Sequence, residues 1–223
     1  MTDSPLLLLV LAAGATYIAH LWWSDFKAAQ AGAPNPKGFP GATAWNYRAL
    51  LIAVSGALVL LGLETWGEIV LGISGQQSEL KLSLAVYTIF GAPIIEELIM
   101  RGYLFFDKKG SARFWTAAVA CSVLFALLHP HLWEWRDAAA LDENPVAPEA
   151  LAIAFGSSAL VFDFGAKAWF TTGILFTFSL WLYFTRYASF NKERSLLVPV
   201  AAHAAKNAGV VVIKAVQGFL VIG

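Results

Sequence analysis

Residues 5–23, PLLLLVLAAGATYIAHLWW, and residues 114–133, FWTAAVACSVLFALLHPHLW, contain no Asp, Glu, Lys or Arg. About 20 residues of this kind, rising 1.5 Å each in a helix, cross the hydrocarbon core of a bilayer. The rest of the 223-residue chain agrees, being 58% hydrophobic and 13% charged. That is about half the charged share of a soluble domain, so a water-soluble globule is excluded. Lys plus Arg and Asp plus Glu balance at fifteen each, leaving no basic field for nucleic acid. Cys121, the one cysteine, lies inside an apolar run, so no intramolecular disulfide is possible.

A helical window places six spans at 5–23, 46–72, 82–106, 112–132, 166–186 and 195–222. The fold class is therefore all-α, a polytopic membrane bundle forming a single integral membrane domain over 1–223. No Lys or Arg precedes the first run, unlike in a signal peptide, and it reads as a retained span. Trp22, Trp23, Trp45, Trp66, Trp115, Trp133, Trp135 and Trp169 fall near the span ends, where an interfacial aromatic belt sits. The first connection, rich in Gly and Pro over 31–41, reads as irregular. The insert at 133–165 opens with the acids Glu134, Asp137, Asp142, Glu143 and Glu149. It then becomes apolar over too short a length to cross, which suggests a surface or re-entrant helix at 149–163.

Positive charges sort by side. Lys27, Lys37 and Arg48 flank the first connection, Lys108, Lys109 and Arg113 the third, and Arg186, Lys192 and Arg194 the fifth; connections two and four carry mainly Lys81 and Arg136. The positive-inside rule then puts the odd connections in the cytoplasm and both termini outside, with the insert non-cytoplasmic. The expected setting is the inner (plasma) membrane.

Ionisable groups inside a span are costly, so each is a functional candidate, with helix packing the ordinary alternative. Glu97 and Arg101 stand four apart with the acid first, the better orientation for an intrahelical ion pair. Glu96 points about 100° away, so it faces a polar cavity or is neutral. Phe125 and His129, and His203 and Asn207, share helix faces at the same spacing on two other spans. Pro93, Pro130 and Pro199 adjoin the three clusters, so the backbone beside each should bend or end.

In this order the motifs EExxxR, FxxxH and HxxxN, with Leu196, Pro199 and the aromatic span 169–187, resemble the CAAX-protease and bacteriocin-processing family, often called CPBP or Abi. The resemblance covers about 90–210 and includes intramembrane CAAX prenyl endopeptidases; none of the three motifs departs from the pattern. It implies an endopeptidase in which Glu96 activates water with His129 assisting, while His203 and Asn207 stabilise the oxyanion. Glu97 and Arg101 match the family's supporting ion pair, and Phe125 is a supporting residue. No metal or other cofactor is implied. The expected partners are the lipid bilayer and a membrane-associated peptide or protein, such as a prenylated C-terminus, a peptide leader or a C-terminal sorting tail.

Residue chemistry leaves rivals. Glu96, His129 and His203 make a possible zinc set, although the local HExxH spacing is absent and Asn207 is a poor ligand. Cys121 and His129 lie ~12 Å apart along one helix, too far for a thiolate–imidazolium pair. A proton-coupled transporter would also bury such groups, but the internal repeat it should show is missing. A non-catalytic immunity or scaffold protein of the same fold stays open. Lys206 and Lys214 are expected to snorkel or to be neutral. Counted from Gly110, His129 lies about five residues, or ~7 Å, further along its helix than Glu96, a gap that tilt and side-chain reach must close. Glu96 and His203 stand nearer the cytoplasmic ends of their spans, so the cavity is expected to open inward.

Overall fold

A computed structural model describes residues 5–104, 111–139, 141 and 150–222. The end of the third expected span (105–106), Lys108, Lys109, Gly110, Asp142, Glu143 and Glu149 lie outside them. Helices α1 (Pro5–Gln30) and α2 (Tyr47–Val70) come first, followed by α3 (Leu82–Phe90) and α4 (Ala92–Glu97). A π-helical turn, Leu98–Tyr103, continues α4; then come α5 (Ser111–Leu128), α6 (Ala166–Tyr187) and α7 (Leu197–Val216). The chain is a helical membrane bundle, as composition requires. Five stretches are long and apolar enough to cross: Leu6–Gln30, Tyr47–Val70, Leu82–Tyr103, Ala166–Tyr187 and Leu197–Val216. The span expected at 112–132 is a shorter apolar helix, because Pro130 stops it after Leu128.

Two regions differ from the sequence reading. Where a helix is expected at 149–163, residues 150–163 instead carry β3 (Leu151–Phe155) and β4 (Ser158–Phe162); with β2 (Trp133–Asp137) they form an antiparallel sheet in the order β2-β4-β3. Gly156, at φ +65°, opens a two-residue hairpin loop, and such a loop fixes strand register more strongly than apolar composition favours helix. The last span also stops early. Gly218, at φ +82°, closes α7 with Phe219 N–H donating to Lys214 C=O and Gly218 N–H to Ala215 C=O, the paired bonds of a Schellman cap. The chain then pairs Leu220–Val221 in parallel with β1 (Leu80–Lys81), tying the end of α7 to the start of α3.

The core that positions the site is built on small residues. Ala49, Ala53 and Ala57 recur every four residues along α2 and pack against Phe178 and Leu182 of α6 and Val198 and Ala202 of α7. Lipid offers no hydrophobic drive between helices, so close backbone approach through small side chains supplies the contact. The first connection is ordered as well: the Asp25 carboxylate accepts hydrogen bonds from Asn35 Nδ2 at 2.9 Å and Phe39 N–H at 2.8 Å. Thr43 Oγ1 donates to Glu193 C=O and Ser195 Oγ to Thr43 C=O, joining it to the fifth connection.

Gly56 is the tightest point of this interface. A Cβ there would stand 2.0 Å from the Trp181 ring, and that indole is held by its hydrogen bond to Ala53 C=O. Gly56→Ala should therefore destabilise the bundle by about 1–3 kcal/mol. Gly62→Ala, on the same helix with nothing within 4 Å, should be neutral or slightly stabilising. Thermal unfolding of the two variants in detergent checks this, and equal loss from both would show that the α2–α6 contact is not limiting.

Candidate active site

The third span breaks where its carboxylates sit. Pro93 occupies the first turn of α4, where its missing N–H breaks no helical bond, and Gly91 joins α3 to α4. After Glu97 the helix widens into the π turn, with Leu104 N–H donating to Ile99 C=O five residues back. Two hydroxyls of α6 bind carbonyls of that turn: Tyr183 Oη donates to Met100 C=O at 2.6 Å and Tyr187 Oη to Arg101 C=O at 3.2 Å. A wide turn of this sort often marks a functional site, and here it is pinned in place.

Glu97 and Arg101 are fully buried. Arg101 Nη1 donates to Glu97 Oε1 at 3.1 Å, the expected ion pair. The guanidinium also donates through Nη2 to Ser179 C=O and Oγ, and it lies 4.8 Å from the Phe125 ring centroid and 4.7 Å from that of Tyr183. The sequence reading missed a further bond: His203 Nδ1 meets the same Glu97 Oε1 at 2.8 Å. A carboxylate only accepts, so Nδ1 carries the proton, and Nε2 is the nitrogen turned toward Glu96, 3.8 Å from its Oε2. Glu96 Oε2 itself is buried without a hydrogen-bond partner. The Oε2 of Glu97 is likewise buried without a partner, so the two acids differ in the pair of bonds to Glu97 Oε1 and in exposure, 0% for the Glu97 side chain and 31% for that of Glu96.

Phe125 brings the spans together. Its ring centroid is 4.6 Å from that of His129 and 6.0 Å from that of His203. His129 follows the end of α5, but its Nδ1 reaches back 2.8 Å to Phe125 C=O. The ring therefore leans back toward the start of its helix, which shortens the stagger counted from sequence. Since a carbonyl accepts, Nδ1 of His129 donates and Nε2 is left for another partner. Asn207 donates from Nδ2 to Thr88 C=O at 2.7 Å, which fixes the amide orientation and leaves its second N–H available.

Glu96, His129, His203 and Asn207 line one cavity of about 820 Å³, while Glu97 and Arg101 stand behind its wall. The cavity opens at the end opposite to the one expected. Its lining runs out to Gln76, Gln77 and Ser78 of the second connection and to Glu134 and Asp163 of the insert, and includes nothing described from 24–46 or 188–196. The other end is closed by the joined first and fifth connections, with Asn191 Nδ2 donating to Thr185 and Ser195 C=O inside the plug. Closeness of Glu96 and His203 to a span end thus did not indicate the open side, because that end is packed with protein.

Two ion pairs line the outer part of the cavity. Lys206 neither snorkels nor stands alone: it is 4% exposed and lies 2.7 Å from Glu64, with Phe178 beneath it. Lys167 pairs with Glu68, which also accepts from Gln77 Nε2 at 2.7 Å. Lys214 donates to Ser78 C=O at 2.6 Å. Ser179 and Tyr183, the Arg101 partners that the sequence reading omitted, stand four apart on α6, and their shared face was the available signal. Among the described residues no group of three His, Cys, Asp or Glu side chains is placed to hold a metal ion.

The family comparison puts this membrane bundle in the class of CAAX-type intramembrane proteases. The Rce1-like type II CAAX prenyl endopeptidase model matches residues 78–209, more than half of the chain, and the chain belongs to that family. Neither a curated protein nor a solved structure matches it.

Removing one member of a buried pair leaves the other uncompensated, at a cost of about 3–5 kcal/mol. Arg101→Met alone should therefore lower the yield of folded protein sharply, and adding Glu97→Gln should recover part of it. Size-exclusion yield and thermal unfolding decide this; a double variant less stable than both singles would contradict the pairing.

Proposed function

We propose that this protease uses Glu96 as the general base for water, His129 as its assistant, and His203 with Asn207 as oxyanion donors. The observation that carries the reading is the contrast between the acids: Glu97 is fully buried, with Oε1 held by Arg101 and His203, whereas the Glu96 side chain is 31% exposed and lines the cavity. A base must be within reach of water, and the partly exposed Glu96 carboxyl on the cavity wall is.

The reaction proceeds in two steps. Water oxygen attacks the peptide carbonyl carbon as Glu96 takes one of its protons, with His129 Nε2 orienting the water. The carbonyl oxygen becomes an oxyanion that receives hydrogen bonds from the second amide N–H of Asn207 and from His203 Nε2–H. For Nε2 to donate while Nδ1 donates to Glu97, His203 must be an imidazolium. With Arg101, Glu96 and Glu97 the cluster then sums to zero charge, which suits a site inside a membrane. The C–N bond next breaks, and the proton on Glu96 passes to the leaving nitrogen. The products are an acid and an amine, with no covalent enzyme intermediate.

Replacing Glu96 by Gln keeps the volume and removes the base, so cleavage of a membrane-associated precursor should fall at least about a hundredfold while the protein stays folded. Activity retained above about a hundredth would sink the assignment. His203→Ala and Asn207→Ala should each cost about a hundred- to thousand-fold in turnover, and the double variant should lose less than the product of the two.

Zinc chemistry on Glu96, His129 and His203 is separated by metal content. The expectation is purified protein without stoichiometric zinc, active after chelation, and Cys121→Ser equally active. Zinc and activity lost together and restored together by added zinc would instead make those three residues ligands.

A further inference from the structure

We propose that the catalytic cavity opens on the non-cytoplasmic side of the membrane, so that the substrate is a membrane-anchored polypeptide whose cleaved segment has already crossed the bilayer. The substrate half rests on the catalytic reading above; the orientation half does not. Two independent observations meet here, one of geometry and one of charge.

The geometry gives the open end. From Glu96 and His203 the cavity runs past the Glu64–Lys206 and Glu68–Lys167 pairs to Gln76, Gln77, Ser78, Glu134 and Asp163. All of the last five belong to the second and fourth connections. The polar side chains along this route can keep the backbone amides of an entering polypeptide hydrogen-bonded, as their burial requires.

Charge gives the side. Lys27, Lys37, Arg48, Lys108, Lys109, Arg113, Arg186, Lys192 and Arg194 belong to the first, third and fifth connections or the helix ends beside them. On the cavity side stand Lys81, Arg136, Lys167 and Lys214, with Lys206 inside the cavity. Arg136 is paired with Glu134 and Lys167 with Glu68. Short connections rich in Lys and Arg stay in the cytoplasm, and every connection here is short enough for that bias to set orientation. The plugged end is thus cytoplasmic and the open end faces away. The reaction that must supply the substrate is translocation or membrane insertion of a polypeptide, and the protease acts after it.

Single cysteines on a Cys121→Ser background test the orientation in intact cells with a membrane-impermeant maleimide. Gln76→Cys beside the cavity mouth and Asp137→Cys on β2 should be labelled in sealed cells; Lys37→Cys and Lys192→Cys should be labelled only after permeabilisation. The reverse pattern overturns the proposal. Adding Glu96→Gln should leave the pattern unchanged, because labelling does not depend on catalysis. Comparison of new protein termini between cells carrying the wild-type chain and Glu96→Gln then tests the substrate. Termini lost with Glu96 should map to segments on the non-cytoplasmic side, and cytoplasmic ones would overturn the substrate class. If no terminus depends on Glu96 while the labelling is as expected, the protease reading fails together with the substrate class, and the orientation stands.

Discussion

Glu97 Oε1, out of reach of solvent, accepts from Arg101 Nη1 and His203 Nδ1, and much of the site's geometry depends on that shared oxygen. A buried acid in a bundle surrounded by lipid is tolerated only when paired, so Arg101 and His203 are drawn to it. Arg101 in turn fixes Ser179 and stacks between Phe125 and Tyr183, which ties α5 and α6 to the third span. His203 brings α7. One carboxylate thus joins the spans that carry the catalytic motifs, and it sets which nitrogen of His203 is turned toward Glu96.

Adjacent residues on a helix point about 100° apart, and here that angle separates two roles. Glu97 is fully buried, faces protein and organises; Glu96 is partly exposed and faces the cavity. Identical side chains acquire different chemistry from their surroundings alone. In the π turn that follows, the Met100 and Arg101 carbonyls accept from the Tyr183 and Tyr187 hydroxyls. Had the helix run on regularly, fewer carbonyls would have been left for those hydroxyls.

The helical bundle was legible because spans are long, apolar and marked by Trp at their ends, signals that need no tertiary information. Glu97–Arg101 and Phe125–His129 were legible for the related reason that both are spaced i,i+4 on one element. What depends on two elements at once was not. The Glu97–His203 bond, the Arg101–Ser179 bond and the Asn207–Thr88 bond each join residues far apart in sequence. The sheet at β2–β4 was misread as helix because alternation in LAIAF and SALVF is blurred by alanine, while the informative residue was Gly156 between them. The open end of the cavity was also misplaced, since distance from a span end says nothing about whether protein covers that end.

The central claim, that Glu96 with His129 handles the attacking water while His203 with Asn207 handles the oxyanion, is tested most directly by a structure of the enzyme bound to a phosphinic peptide, whose tetrahedral phosphorus carries two oxygens in place of the attacking and carbonyl oxygens. One oxygen is expected within hydrogen-bond distance of Glu96 and His129, and the other within reach of Asn207 Nδ2 and His203 Nε2. Both phosphinyl oxygens bound to a metal ion, or the group held elsewhere in the cavity with Glu96 out of reach, would contradict it.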